Sequence, residues 1–137
     1  AHLIPTSDAR SRAAMEAAVE YARQRVQFGK PIAENQAIQF MLADMDMDIE
    51  AGRLTYMKAA WTETRGLPFT REAALCKTFC SDMAMRVTTD VVQVFGGYGY
   101  MRDYPVEKYM RDAKINQIWD GTNQIQRIVM ARALLGR

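Results

Sequence analysis

One acidic residue, Asp120, stands in the turn Trp119-Asp120-Gly121-Thr122, between an amphipathic stretch and the last helical segment. A carboxylate there lies beside flexible backbone and beside the free amide groups of a helix N-terminus. It could remove a proton while backbone donors stabilise the negative charge that forms. The pattern indicates an active-site base, and capping of the following helix by the same acid is the structural alternative.

Two other junctions combine glycine with groups that bind ligands. Residues 25–32 bring together a guanidinium, an amide side chain and an aromatic ring, which suit a phosphate diester beside a flat ring. An arginine at a helix C-terminus also complements the helix dipole, so that alternative stays open. In residues 93–100, the glycines either let a ligand approach the backbone or end a helix with positive φ.

Composition argues against several classes of function. Lys and Arg total 18 against 16 Asp and Glu, which disfavours a nucleic-acid-binding tail or a polybasic membrane patch. No apolar run approaches the roughly 20 residues of a membrane span. The one histidine, His2, excludes a histidine-based metal site or triad, and we expect no metal. Cys76 and Cys80 fall on one helical face, where we expect them to pack and not to bridge.

Helical periodicity dominates the chain, so helices must position these residues. We predict an all-α fold, an antiparallel up-down helix bundle that forms a single domain over residues 1–137. The first helix follows capping residues at 5–8 and ends near Gln27, and Thr70 caps the third, which ends at the glycines of 96–99. The other helices are predicted at about 34–64, 105–116 and 122–134.

Several motifs, in a fixed order, carry a resemblance to a known family. They are YARQRVQFGKPI at 21–32, NQAIQFMLADM at 35–45, QVFGGYGY at 93–100, and MRDAKI at 110–115 followed by GTNQIQR at 121–127. From about residue 13 to the end, the sequence closely resembles the C-terminal helical domain of the acyl-CoA dehydrogenases. The medium- and short-chain branch of the family is the most similar.

The resemblance implies an FAD-dependent oxidoreductase that converts an acyl-CoA thioester to the trans-2-enoyl thioester. Asp120 matches the base that removes the α-proton, while the β-hydrogen leaves as hydride to FAD. Trp119 and Gly121 would flank the thioester, and the backbone N–H of Asp120 would donate to the enolate oxygen. The implied cofactor contacts are Thr122 and Gln124 on the flavin held by the same subunit as the base, and Gln93 and Gly97 on the adenine-nucleotide half of an FAD. For a neighbouring subunit's FAD they are Arg25, Gln27, Phe28, Asn35 and Gln36.

The resemblance also implies partners and a wider protein. Electrons would pass to an electron-transfer flavoprotein, and the enzyme would be a homo-oligomer, a dimer or a tetramer, with no nucleic acid or membrane partner. Its location would be the bacterial cytoplasm or the mitochondrial matrix, without secretion. The family's N-terminal helical domain and middle β-domain are not encoded in these 137 residues, so we expect the chain to be inactive alone.

Position 120 departs from the family pattern, which has glutamate there. Aspartate is one methylene shorter and retracts the carboxylate by about 1.5 Å, one carbon–carbon bond. A misplacement near 1 Å costs on the order of a hundredfold in rate, which predicts slow turnover of straight-chain substrates or adaptation to a bulkier acyl group. Some relatives place the base instead just before the position of Ala1. The alternative function is a non-catalytic helical oligomerisation or interaction module derived from the family.

Overall fold

The computed structural model describes residues 4–136, with side chains from Ser7 onward. Within that range the predicted all-α bundle is confirmed, and no helix is both long and apolar enough to cross a bilayer. The elements are α1 Ile4–Gln24, β1 Val26–Gln27, β2 Lys30–Pro31, the 3-10 turn η1 Ile32–Glu34, α2 Gln36–Thr64, α3 Thr70–Phe95, α4 Gly97–Tyr100, α5 Val106–Ile115 and α6 Asn123–Leu134.

Helix α3 is the centre of the bundle and packs against α1, α2, α5 and α6. The core side chains recur at the three- and four-residue spacing that the sequence predicted, because each helix buries one stripe. They include Ala14, Ala18, Ala22, Met45, Ile49, Met83, Val87 and Val91.

The first three helices alternate in direction, as an up-down bundle requires. Asp48 of α2 pairs with Arg86 of α3 at 3.0 Å, and Gly52, one turn later on α2, faces Met83, one turn earlier on α3. Near the other end, Tyr21 of α1 stacks on Phe95 of α3 with 4.1 Å between ring centroids. Helix α3 is therefore antiparallel to α2 and runs in the same direction as α1.

The two cysteines pack, as predicted, and form no disulfide. Both are buried, with 3.9 Å between their Sγ atoms. The hydrogen bond to Cys76 and the burial of the thiol raise the pKa of Cys80. Both thiols are therefore part of the interface between α2 and α3, where the Cys80 Sγ also lies 3.5 Å from the Gly52 carbonyl oxygen.

Helix α1 ends three residues earlier than predicted. A hairpin takes over the chain, with Gln27 paired to Lys30 and Phe28-Gly29 as its two-residue loop. Both loop residues have positive φ, 51° and 80°, as in a type I′ turn. Strands of two residues are too short to show alternation, so periodicity gave no sign of them.

Three predicted helix boundaries were also wrong. Residues 5–8 do not cap α1 but lie within it, since the helix includes Ile4. Thr70 is the first residue of α3, preceded by Phe69, which makes no capping side-chain bond. Helix α2 starts at Gln36 because residues 32–34 form the tighter turn η1.

Candidate functional site

Asp120 lies in the turn between α5 and α6 with a φ of 51°, in the left-handed region. Aspartate and asparagine tolerate that region better than most other residues. Gly121 follows with a φ of 81°, and Thr122 caps α6, its Oγ1 accepting a hydrogen bond from the Ile125 N–H at 3.3 Å. The cap is thus Thr122 and not Asp120, whose exposed carboxylate is left available beside the start of the helix.

Lys77 of α3 ties this turn to the bundle. Its Nζ donates to the Gly121 carbonyl at 2.9 Å and to the Asn123 Oδ1 at 2.7 Å. Burial lowers the pKa of Lys77, while the carboxylates of Asp120 and Asp82 oppose that effect. The backbone next to Asp120 is therefore anchored by a charged donor from another helix.

Behind the turn lies a polar network centred on Asp82 and the buried side chain of Asn123. The Asn123 Nδ2 donates to Asp82 Oδ1 at 2.7 Å and to Ser81 Oγ at 2.8 Å. Gln117 and Arg127 each donate to Asp82 at 2.7 Å. Burial alone would raise the pKa of Asp82, but the hydrogen bonds from Arg127, Gln117 and Asn123 outweigh it and hold the pKa below its usual value of 3.8.

Sequence reasoning missed this network, which joins α3 to the end of α5 and the start of α6. Its members are 35–46 residues apart, so no local spacing links them. The detectable signal was the pair Ser81 and Asp82, polar residues inside the apolar pattern of α3.

We expect Asp82→Asn to destabilise the protein by about 1–2 kcal/mol at pH 6, because the hydrogen bonds lose their charged acceptor. The pKa of Asp82 is lower in the folded state, so its contribution is full above the unfolded value near 3.8 and is lost as the pH falls through the folded value. Urea unfolding of wild type and variant from pH 6 to pH 3 checks this. A difference in unfolding free energy that grew toward low pH would contradict it.

At the other end of α3, a cleft of about 510 Å³ joins the two glycine-containing junctions. Arg25 and Gln27 line it from one side, and Gly97 and Tyr98 from the other. The Arg25 guanidinium lies 5.1 Å from the centroid of the Tyr98 ring, a cation–π distance. The structure thus places in one cleft the groups that the sequence presented separately.

A second cleft, of about 650 Å³, lies beside the Asp120 turn. Thr122 and Gln124 line it, together with Asp82 and Arg127. Asp82, which lines this cleft, and Val94, which lines the first, are 12 residues apart on α3, or about 18 Å along the axis at 1.5 Å per residue. The proposed cofactor residues therefore divide between two well-separated places.

The remaining sequence-predicted residues do not line either cleft. Phe28 is fully exposed at the hairpin tip, and Trp119 is 39% exposed beside Asp120. Gln93 and Gln36 are exposed on α3 and α2, and Asn35 is half-buried at the start of α2. All five lie at the surface, where a second molecule could reach them.

The three glycines in residues 96–99 have different structural environments. Gly96 has a φ of 62° and ends α3, while Gly97 has open space where a Cβ would stand. Gly99 is tightly enclosed, since its Cβ would lie 2.6 Å from the Val92 carbonyl oxygen and 2.7 Å from the Phe95 Cβ. The helix-ending alternative is confirmed at Gly96, and the approach of a ligand to the backbone stays a prediction for Gly97.

Gly99→Ala should therefore lower stability by about 1–3 kcal/mol, because backbone atoms must move to admit the methyl group. Gly97→Ala is the matched control and should leave the melting temperature nearly unchanged. Thermal unfolding of the two variants checks both expectations. Equal melting temperatures would show that the enclosure of Gly99 is not tight.

Comparison with known proteins identifies the fold. Residues 3–135 match the family model described as acyl-CoA dehydrogenase, C-terminal domain. The short-chain specific acyl-CoA dehydrogenase of Megasphaera elsdenii is 57% identical over 125 residues, which are 91% of this chain and 33% of that protein. The chain thus spans about a third of the length of the curated relatives it matches.

Solved structures agree. Butyryl-CoA dehydrogenase from Megasphaera elsdenii is 53% identical, with a TM-score of 0.95 over 97% of this chain and 35% of that one. A chain in the structure described as an electron transferring flavoprotein of Acidaminococcus fermentans is 51% identical, with a TM-score of 0.96 over 98% of this chain and 36% of that one. The chain belongs to the acyl-CoA dehydrogenase family and corresponds to its C-terminal domain.

Proposed function

We propose that the full gene product is an FAD-dependent acyl-CoA dehydrogenase, to which this chain contributes the α-proton base, part of the flavin contacts and subunit contacts. The observation that carries the proposal is the placement of Asp120. Its carboxylate is exposed beside the start of α6, while Thr122 takes the capping role and Lys77 anchors the adjacent backbone. An exposed carboxylate that does not cap the helix, on a turn held by Lys77, suits proton transfer.

The position of Asp120 in this turn defines the proposed proton-transfer step. Asp120 would take the proton from the carbon next to the thioester carbonyl, and the pair of electrons left behind moves toward the carbonyl oxygen. The backbone N–H of Asp120 would donate to that oxygen, and the positive end of the α6 dipole favours the same charge. Trp119 and Gly121, on either side of the base, would flank the thioester.

The side chains present fit FAD, which when bound would accept the β-hydrogen as hydride. In the first cleft, Arg25 offers a fixed positive charge for a phosphate and Gln27 offers an amide. Gly97 has no atom within 4 Å of a Cβ position, so a ligand can approach its backbone. Thr122 and Gln124 offer polar groups next to the base.

The two clefts, about 18 Å apart along α3, support contacts with two different flavins. Thr122 and Gln124 would hold the flavin that works with Asp120. The first cleft would meet FAD held by a neighbouring subunit, which the exposed Phe28, Gln36 and Gln93 could also reach. We therefore infer a homo-oligomer, a dimer or a tetramer, with an electron-transfer flavoprotein accepting the electrons.

The proposal is tested by measurements on the purified full gene product. We expect flavin absorbance close to one equivalent per chain, and anaerobic dye reduction with at least one of a panel of straight-chain and branched acyl-CoA thioesters. Protein that contains no flavin, binds none when FAD is added and reduces no dye would refute the enzyme. The second candidate, a non-catalytic oligomerisation module, would then stand, favoured by the shorter acid at position 120.

A further inference from the structure

Gln126 of α6 reaches back over the turn that carries Asp120. Its Nε2 donates to the Asp120 carbonyl oxygen at 2.9 Å, and the Gly121 carbonyl oxygen lies 3.5 Å from the same nitrogen. The side chain is half-buried and belongs neither to the network around Asp82 nor to the proposed flavin contacts. It holds the peptide group that joins the proposed base to the residue after it.

Gly121 leaves room for the Gln126 amide. A Cβ at Gly121 would lie 2.9 Å from Gln126 Nε2 and 3.8 Å from Ile125 Cγ2, so the amide occupies the place of a side chain. A methyl group at position 121 would push the amide away from the Asp120 carbonyl. The φ of 81° at Gly121 also favours glycine. Glycine therefore suits both the backbone conformation and the contact.

The backbone of Asp120 needs contacts of this kind. Its φ of 51° is in the left-handed region, where the Cβ crowds the following carbonyl oxygen. The free-energy cost of that conformation is similar to the stabilisation that one hydrogen bond provides. Loss of the Gln126 contact therefore shifts the balance toward negative φ, and such a change turns the Cα–Cβ bond of the base.

The turn is held on both sides of Asp120. Before it, the Trp119 N–H donates to the Ile115 carbonyl oxygen at 3.1 Å. After it, Gln126 of α6 holds the Asp120 carbonyl and Lys77 of α3 holds the next carbonyl, both at 2.9 Å. Two helices thus fix two successive peptide groups, and Gln126 does so without adding a charge beside the base.

We propose that Gln126 is a positioning residue, which keeps the Asp120 carboxylate turned toward the acyl thioester by holding the peptide group between residues 120 and 121. The inference rests on the proposed function, since it takes Asp120 as the base. Gln126 itself acts through the backbone and not on a reacting atom. Its loss should therefore slow the removal of the α-proton and leave the binding of substrate and flavin nearly unchanged.

Gln39 of α2 supplies a matched control. Its Nε2 donates to the Ala33 carbonyl oxygen at 2.9 Å, again six residues back along the chain. Gln39 and Gln126 are both the fourth residue of their helix. Ala33, however, does not have the positive φ of Asp120. The two glutamines therefore make the same bond, but only Gln126 holds a left-handed residue that carries a carboxylate.

Kinetics of the full gene product test the inference. Gln126→Met keeps the length of the side chain but removes the donor, so kcat should fall about ten- to a hundredfold while KM, flavin content and melting temperature stay nearly unchanged. Substrate with deuterium on the carbon next to the thioester carbonyl should give an isotope effect on kcat at least as large as in the wild type. Gln39→Met should keep kcat, counted per flavin-loaded enzyme, within about twofold of the wild type.

A variant that keeps the donor gives the complementary result. Gln126→Lys retains a donor of similar reach and should recover part of the kcat that Gln126→Met loses. If the wild type is active and Asp120→Asn is not, equal kcat in Gln126→Met and Gln39→Met would overturn this inference alone. A lower kcat with a smaller isotope effect would also overturn it, because another step would then be slowed. Wild-type protein that neither binds flavin nor reduces dye would overturn the proposed function and this inference together.

Discussion

Asp120→Asn is expected to lower kcat/KM of the full gene product by about 10²–10⁴-fold with its best acyl-CoA substrate, as loss of a general base does. Asparagine keeps the shape of the side chain but cannot accept the α-proton. It also tolerates the φ of 51° at this position as well as aspartate does. The turn, the Thr122 cap and the Lys77 contacts should therefore persist, so the lost rate reports chemistry alone.

The controls are flavin content and melting temperature, both of which should match the wild type. Anaerobic mixing with substrate should then show flavin that stays oxidised for far longer than in the wild type. An Asp120→Asn enzyme with full activity would mean that the base lies elsewhere in the protein. Asp120 would then be a surface residue of the turn.

Asp120→Glu measures the consequence of the missing methylene. Glutamate extends the carboxylate by about 1.5 Å, and a change near 1 Å alters rates by on the order of a hundredfold. We expect the ratio of straight-chain to branched substrate rates to rise in this variant, since the longer acid reaches the position usual in the family. The left-handed backbone suits glutamate less well, so the melting temperature should fall slightly. An unchanged substrate ratio would show that the acid's length does not set specificity.

The helix bundle could be predicted because the spacing of buried residues within each helix is a local signal. Ala14, Ala18 and Ala22 repeat at four residues, and Met83 and Val87 continue such a stripe on α3, so one buried face per helix could be recognised from the sequence. The hairpin at residues 26–31 could not be recognised in this way. A hairpin with a two-residue loop depends on positive φ at Phe28 and Gly29, and its short strands show no periodicity. Aromatic residues seldom adopt that φ, and nothing in the sequence signals it.

The turn that carries Asp120 and Thr122 could be predicted, because it lies where two helical patterns meet, and the roles of these two residues stay predictions. The contacts of the candidate site that join distant segments of the chain could not be predicted. Lys77 reaches Gly121 across 44 residues, and Arg25 meets Tyr98 across the end of the bundle. Long-range pairs of this kind have no sequence spacing, so they became visible when the helices were placed.

Lys77→Met is expected to lower kcat by about a hundredfold with little change in KM or flavin content. Methionine keeps the length of the side chain but removes the donors to the Gly121 carbonyl and the Asn123 Oδ1, 2.9 and 2.7 Å away. The turn is then free to shift, and a shift near 1 Å at the reacting carboxylate costs about that much in rate. Steady-state kinetics and the flavin spectrum measure the two quantities.

Lys108→Met is the matched control, since Lys108 on α5 pairs at the surface with Asp112, away from the turn. Its kcat should stay within about twofold of the wild type. Lys77→Arg should recover part of the rate, because arginine restores a charged donor with a different geometry. If Lys77 only stabilised the fold, the Lys77→Met variant would have a lower melting temperature. Its kcat, counted per folded and flavin-loaded enzyme, would then equal that of the wild type. A fall in kcat at constant flavin content therefore assigns Lys77 to the positioning of Asp120, through a hydrogen bond to the residue that follows the base.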